Sequence, residues 1–220
     1  MGLIALIVQL GWIVLIFILM LAFAFSLALF QQGIPLWASL VLGMLITYIL
    51  LMFFALLLHW LLRSIVGTES GYLQSWKVPL WGIMAALHHR FFSGLKLFIP
   101  REYIPNFMLR AFGMRIGSGT VNMGYVTDPE MMELGRNVYV GPGTYLGAHI
   151  MSRVDRRVFR APIVIEEGAK IGPNCLVSPG AHIGSKAVVL ANTHVGTRQN
   201  LEAGKCYGGS PASEILLDEW

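Results

Sequence analysis

Beginning at Ile165, an apolar residue recurs at every sixth position: Ile171, Val177, Ile183, Val189, Val195, Leu201 and Tyr207. Ile171, Ile183 and Val195 are each followed by Gly, and Val177 by Ser. A small side chain stands four residues after each of the first five: Ala169, Cys175, Ala181, Ala187 and Thr193. A fixed internal period marks a solenoid, and a period of six belongs to parallel β-helices. An amphipathic helix would need apolar spacings of three and four, which this segment lacks. Each hexad therefore reads as a short strand plus a corner, with three hexads to a triangular coil. The first residue points into the prism, and so does the small one at the corner. The Gly or polar residue in second place is expected at the turn, where positive φ costs glycine little. Stacked coils cover one another's open edges.

The register extends upstream through Leu134, Val140 and Leu146, and Ile116-Gly117 precedes Leu134 by one full coil. The positions between them are Asn122 and Asp128, so the first coil is imperfect. From Leu146 to Ile165 the step is nineteen residues, which breaks the register. Residues 151–162 are therefore expected as a loop thrown out from the prism. Periodicity does not give the hand of the coil, and ordinary crossovers argue for a right-handed one.

Residues 1–62 contain no Asp, Glu, Lys or Arg. Two apolar runs, 3–30 and 36–62, are split by Gln31-Gln32-Gly33 and Pro35, and each exceeds the roughly 20 residues that cross a bilayer. The start lacks the basic residues of a cleavable signal peptide, and the first run is too long for one. The expectation is a transmembrane helical hairpin. Residues 63–115 carry seven Lys/Arg against Glu69 and Glu102, whereas the chain from Ile116 onward has nine basic and ten acidic residues. Basic excess beside a membrane span marks the cytoplasmic side, which puts the solenoid in the cytoplasm. The same patch reads as a contact to membrane lipids rather than to nucleic acid.

Between hairpin and solenoid, Trp76, Trp81, Phe91, Phe92, Leu95 and Phe98 alternate with His88, His89, Arg90 and Lys96. Aromatics interleaved with bases suggest an amphipathic helix in the membrane interface; a short helix capping the first coil is the alternative. Cys175 falls on a small inward corner, and with Cys206 it forms neither an expected cytosolic disulfide nor a zinc pattern.

With these residues in hand, 116–212 resemble the hexapeptide-repeat ("isoleucine patch") acyltransferases. The ending Gly208-Gly209-Ser210-Pro211-Ala212 is similar to the Gly-x-Pro-Ala that closes many of them. A second resemblance is to the C-terminal membrane region of the ε-poly-lysine-synthetase type of peptide synthetase. It rests on Val78-Pro79-Leu80-Trp81, on the run from Leu109 through Arg110-Ala111-Phe112-Gly113-Met114-Arg115 to Ile116-Gly117, and on the stretch around His149. The first resemblance implies a mainly β fold with a left-handed parallel β-helix, a homotrimer, and a thioester donor, either acyl-CoA or an acyl-phosphopantetheine on a carrier protein. It also implies a histidine base in a cleft between neighbouring solenoids. The chain lacks the adenylation and carrier domains of the synthetases, so the second implies a separate partner.

Acyl transfer to an amine or hydroxyl needs a base for the attacking group, and the candidates are His149, His182 and His194. His149 stands just before the register break, where a site can be walled, and the synthetase resemblance also puts a histidine there. The alternative is a surface histidine. His182 and His194 take last positions of their hexads, on different faces, and read as solvated corner residues. All three around an interface metal, as in γ-class carbonic anhydrases of this fold, would want two ligands five residues apart. Here the closest pair is twelve apart, which argues against zinc.

The extruded loop carries Arg153, Arg156, Arg157 and Arg160 against Asp155. Clustered guanidinium groups suit a phosphate-bearing ligand, or else a carrier-protein docking patch. Asp155 is placed to orient His149 or to pair with a neighbouring Arg. Lys205 and Gly208, Gly209, Ser210 and Pro211 match where coenzyme A lies along the last coils in the resembled family. Ser213 stands where many members have Lys or Arg, which leaves a carrier-bound donor open. The expected organisation is a hairpin (1–62), a basic interfacial connector (63–115), the solenoid (116–212) and a tail (213–220). The leading function is a membrane-anchored acyltransferase, and the competing one a non-catalytic scaffold of a membrane complex.

Overall fold

The computed structural model describes residues 2–95, 105–152, 154–155 and 157–216, without the side chains of 2–8, 12 and 88–95. The chain divides into two compact units, Met1–Leu61 and Leu62–Trp220.

The first unit is built from α1 (Gly2–Gln31) and most of α2 (Leu36–Val66). Gly33, at φ +88°, ends α1: its N–H bonds to Phe30 O and that of Ile34 to Leu29 O, satisfying terminal carbonyls. Small residues let the two helices approach, since a Cβ on Gly43 would lie 1.9 Å from Ser26 Oγ. Phe17, Met20, Phe23, Trp37 and Met44 are all exposed. At 1.5 Å per residue the 31 residues of α2 extend about 46 Å, against roughly 30 Å for a bilayer core. Both helices are long and apolar enough to span a membrane.

The second unit opens with the end of α2, then β1 (Gly71–Tyr72), α3 (Val78–Leu95) and α4 (Asn106–Ala111). Pro79 is tolerated in the first turn of α3, where its missing N–H has no helical partner. Leu80 and Met84 of α3 are buried, as are Leu109 of α4 and Phe112 just beyond it.

The solenoid follows. Its first coil is β2 (Arg115–Ile116), β3 (Val121–Asn122) and β4 (Tyr125–Val126). The second is β5 (Met132–Leu134), β6 (Tyr139–Val140) and β7 (Tyr145–Leu146). Here the chain leaves the prism as β8 (His149–Met151) and β9 (Val158–Arg160). It re-enters for a third coil, β10 (Ile163–Ile165), β11 (Lys170–Ile171) and β12 (Leu176–Val177). The fourth coil is β13 (His182–Ile183), β14 (Val188–Val189) and β15 (His194–Val195). Strands β16 (Asn200–Leu201) and β17 (Cys206–Gly208) begin a fifth, and β18 (Ser213–Glu214) turns back antiparallel on β17.

The three faces are parallel sheets in the register the hexads demand. Ile116, Leu134, Ile165, Ile183 and Leu201 stack in one column, and Asn122, Val140, Ile171, Val189 and Tyr207 in the next. Ile165, Ile171, Val177, Ile183 and Val195 have no exposed surface, and the corner residues Ala169, Cys175, Ala181, Ala187 and Thr193 are buried with them.

Two details depart from the sequence reading. The glycine in second place is not the positive-φ residue. It is required because coils touch there: a Cβ on Gly172 would lie 2.7 Å from the backbone N of Ala191 in the next coil. Left-handed backbone falls two residues later, as at Asn174, φ 56°. The second departure is in the first coil. Val126, not Asp128, fills the third inward column, opposite Leu146. The surplus residues form a 3-10 turn, Pro129–Met131, at the corner.

The expected loop is an antiparallel hairpin of β8 and β9. It is widened by β1, which pairs with β9 through Gly71↔Arg160 and Tyr72↔Phe159. The connector thus contributes a strand and two helices to the solenoid's own unit.

Candidate active site

The site forms where the irregular corner of the first coil meets the extruded hairpin. Pro129 disfavours helical backbone at Asp128, which sits at φ −124° and ψ 76°. The Asp128 side chain is 1% exposed and accepts three hydrogen bonds. Oδ1 takes the indole Nε1–H of Trp81 at 3.0 Å. Oδ2 takes the Thr127 hydroxyl at 3.0 Å and His149 Nδ1 at 2.6 Å. Burial pushes this carboxyl up, but the His149 bond and charge, the Arg160 charge and the Trp81 bond outweigh it and hold it below its ordinary value. Asp128 is therefore an acceptor-only carboxylate at neutral pH. Facing it, the neutral His149 ring must carry its proton on Nδ1, which leaves the Nε2 lone pair available. The ring is packed edge-on against Trp81, with centroids 4.7 Å apart, and the His149 side chain is 26% exposed.

A second pair lies beside the first. Strand pairing sets Arg160 opposite His149, so both side chains leave the same face of the hairpin. Arg160 Nη2 donates to Glu130 Oε1 at 2.6 Å, and Nη1 to Gly67 O at 3.3 Å. Both side chains are buried, at 1% and 2% exposure. Burial, then the Asp128 charge, push the Glu130 carboxyl up to about 7, against the opposing pull of Arg160.

Asp128, Glu130 and Trp81 were not anticipated as site residues. The available signal was Asp128 itself, a charged residue on an apolar register position. Trp81 was assigned to the membrane interface, but it turns its N–H to Asp128 because β1 and α3 fold back on the coil. His88 and His89 have no described side chains.

Of the expected residues, His149 lies in this cluster and Asp155 does not. Asp155 bonds the guanidinium of Arg157, and with the Ser152 contact first among the causes its carboxyl falls to about 2. His149 is oriented by Asp128 instead, because that residue lies one coil below it. Arg157 also covers the Tyr72 ring at 4.3 Å. Arg153 and Arg156 lie outside the described residues. Arg160, expected to face an anion, is buried against Glu130. Lys205 is held by Glu202 at 2.7 Å and Glu214 at 2.9 Å, and these two carboxylates raise its pKa. Gly208, Gly209, Ser210 and Pro211 turn the chain from β17 into β18, and a Cβ on Gly208 would meet Ile215 at 2.4 Å. Gly208 thus lies directly against Ile215, in the segment that follows β18.

His182 bonds Glu166 and Asn200, each at 3.0 Å, and His194 bonds Ser178 at 3.0 Å. They lie on separate faces, in β13 and β15. Among the described residues no cluster of three His, Cys, Asp or Glu is placed to hold a metal.

On the opposite face of the hairpin from His149, Ile150, Phe159 and Tyr72 form a cross-strand row. With Met151, Ser152, Thr197 and Arg198 they line an open groove of about 620 Å³. The Arg198 guanidinium stacks on Phe159 at 4.8 Å.

No protein-family model matches the chain, and no curated protein matches it. Solved structures do. A hexapeptide-repeat acetyltransferase from Vibrio cholerae is 20% identical over 66% of this chain and 94% of that one, with a TM-score of 0.48. A maltose O-acetyltransferase from Clostridium difficile is 16% identical over 62% and 89%, at 0.47. A serine acetyltransferase from Brucella abortus is 16% identical over 77% and 55%, at 0.39. The β-helix assignment stands on the strand register itself.

Proposed function

We propose that this chain is a membrane-anchored acyltransferase of the hexapeptide-repeat type, with a left-handed coil and a trimeric assembly. The observation that carries the reading is the buried Asp128 carboxylate on Nδ1 of a half-exposed histidine, which fixes the basic tautomer at Nε2. His149 Nε2 takes the proton from an acceptor amine or hydroxyl as that group attacks the thioester carbonyl. Loop amides or arginines stabilise the oxyanion. The C–S bond then breaks, and the leaving thiolate takes the proton from His149. Nothing is consumed beyond acceptor and thioester.

The donor is a coenzyme A or carrier-bound thioester. The acceptor is membrane-proximal: Val66 ends the apolar helix α2, and the next carbonyl, Gly67 O, is bonded to Arg160 of the site. The solenoid works on the cytoplasmic side, as the basic connector argues.

The test is thiol release from acetyl-coenzyme A, and from an acylated carrier protein, with a panel of amine and hydroxyl acceptors. His149→Ala abolishes release while membrane insertion and assembly size stay unchanged. Turnover by that variant at the wild-type rate overturns the reading. So does a wild-type protein inert toward both donors, which would favour the scaffold role. A protease-protection assay finding the solenoid outside would overturn the topology.

A further inference from the structure

The hairpin that carries His149 has a second face. Neighbouring residues of a strand point to opposite sides, so Ile150 and Phe159 look away from the dyad, and Tyr72 of β1 continues their row. With Met151 they give the groove of about 620 Å³ an apolar floor. Tyr72, Ile150 and Met151 are exposed, and Val154, between the two strands, is 95% exposed. An exposed apolar patch of this kind marks a contact with something outside the chain.

The charge around the groove is one-sided. Among the described residues that line it, Arg198 is the only charged one. Its guanidinium lies 4.8 Å over the Phe159 ring and bonds to no described carboxylate. Stacking occupies the face of the guanidinium and leaves the N–H donors at its edge for a phosphate. Arg157, already paired with Asp155, stacks in the same way on Tyr72.

The groove also lies close to the end of α2. Trp37 and Trp60 of that helix are exposed and about 35 Å apart along its axis. That is the spacing of the two aromatic belts that flank a hydrocarbon core of roughly 30 Å. With Trp60 at the edge of the core, Arg63 and Val66 reach into the headgroup layer. Tyr72 follows Val66 by six residues, at most about 20 Å of chain. Gly67 O is tied to Arg160, the neighbour of Phe159 on β9. Trp76, exposed and with Lys77 5.5 Å from its ring, adds an aromatic of the interfacial kind to the same stretch.

We infer that the groove is a lipid site: an anionic phospholipid of the adjacent leaflet lays an acyl chain along Tyr72, Ile150 and Phe159 and sets its phosphate on Arg198. Such a lipid supplies an apolar chain for the floor and an anion for the one unpaired guanidinium. It sits on the far side of the hairpin from His149, so it fastens the hairpin to the membrane surface and is not the acyl acceptor. The inference rests on the reading of α1 and α2 as membrane spans.

The test is photolabelling of the full chain in lipid nanodiscs. The probe is a phosphatidylglycerol with a diazirine in one acyl chain, and labelled residues are mapped by peptide mass spectrometry. Label should appear on Tyr72, Ile150 or Met151 as well as on α1 and α2. A phosphatidylcholine probe, whose choline cancels the phosphate charge, should label the helices equally and the hairpin less. Arg198 is exposed, so Arg198→Gln should leave the fold intact. It should lower hairpin labelling by phosphatidylglycerol about fivefold, with the helices labelled as before. Ile150→Asn, on the exposed floor, should lower it too. Labelled helices beside a bare hairpin would overturn the inference. So would hairpin labelling unchanged by Arg198→Gln or equal for the two headgroups. Displacement of the hairpin label by excess coenzyme A would assign the groove to a soluble phosphate ligand instead, and a hairpin crosslink to a second copy in place of lipid would assign it to assembly. Absence of label from α1 and α2 themselves would show that the membrane reading had failed, separately from the groove.

Discussion

Asp128→Asn is the sharpest single perturbation of the dyad. The carboxylate accepts from three donors, Trp81, Thr127 and His149, and is itself 1% exposed. An asparagine of the same shape has one acceptor oxygen and one NH₂ group. If its oxygen faces His149, the NH₂ meets the indole N–H of Trp81, donor against donor, at a side chain only 1% exposed. If the NH₂ faces His149 instead, the ring must accept on Nδ1 and carry its proton on Nε2, where it can no longer act as a base. The first arrangement leaves a buried donor unsatisfied, at a cost of about 1–3 kcal/mol in stability. The second removes general-base catalysis, worth about 10²–10⁴ in rate. Thiol-release kinetics with thermal unfolding in the same detergent would separate the two, and Trp81→Phe, which removes only the indole donor, is the control. A variant retaining both wild-type kcat and wild-type stability would refute the role given to Asp128. The variant should also lose an acid sensitivity. Since folding holds the Asp128 carboxyl below its ordinary value, its stabilisation is present above about pH 4 and lost as pH falls through the lower folded value.

Other consequences are simpler. Ile183→Ala opens a void at a fully buried register position and should cost about 2–5 kcal/mol, read as increased proteolysis of the solenoid. Gly172→Ala places a methyl group 2.7 Å from the backbone of Ala191, which cannot move aside, so it should disrupt coil stacking; Gly11→Ala, where a Cβ meets nothing, should be silent. The elevated Glu130 affinity has the opposite sign to that of Asp128. Its contribution is full below about pH 4.5 and disappears as pH rises through about 7, so Glu130→Gln should flatten that part of the stability–pH curve.

What was legible in the chain was whatever faces the inside of the prism. The columns of Leu134 with Ile165 and of Val140 with Ile171 could be read from spacing because every coil must fill the same interior. The break after Leu146 could be read the same way, and with it the position of His149. The rest of the site faces outward, where the period imposes nothing. Asp155 lay near His149 in sequence and invited the pairing that belongs to Asp128, twenty-one residues earlier but one coil below. Trp81 arrives from 47 residues away, through a connector whose aromatics spelled a membrane interface. Arg160 belonged to a run of arginines, and only the strand pairing of the hairpin separates its buried side from the exposed side of Arg157. Asp128 was the one outward clue visible in advance, as an exception to the apolar rule.

The two ends of the solenoid are finished differently from its middle. A parallel stack ends in an unpaired strand edge that could template a further coil from another molecule. At the first coil, α4 lies against β2, and the Arg110 guanidinium donates to Ile116 O at 2.9 Å. At the last, β18 runs antiparallel along β17, and the Ala212 N–H bonds to His194 O. Among the described residues, β2 at one end and β17 at the other are therefore covered from within the chain, which blunts those two edges against pairing with another copy.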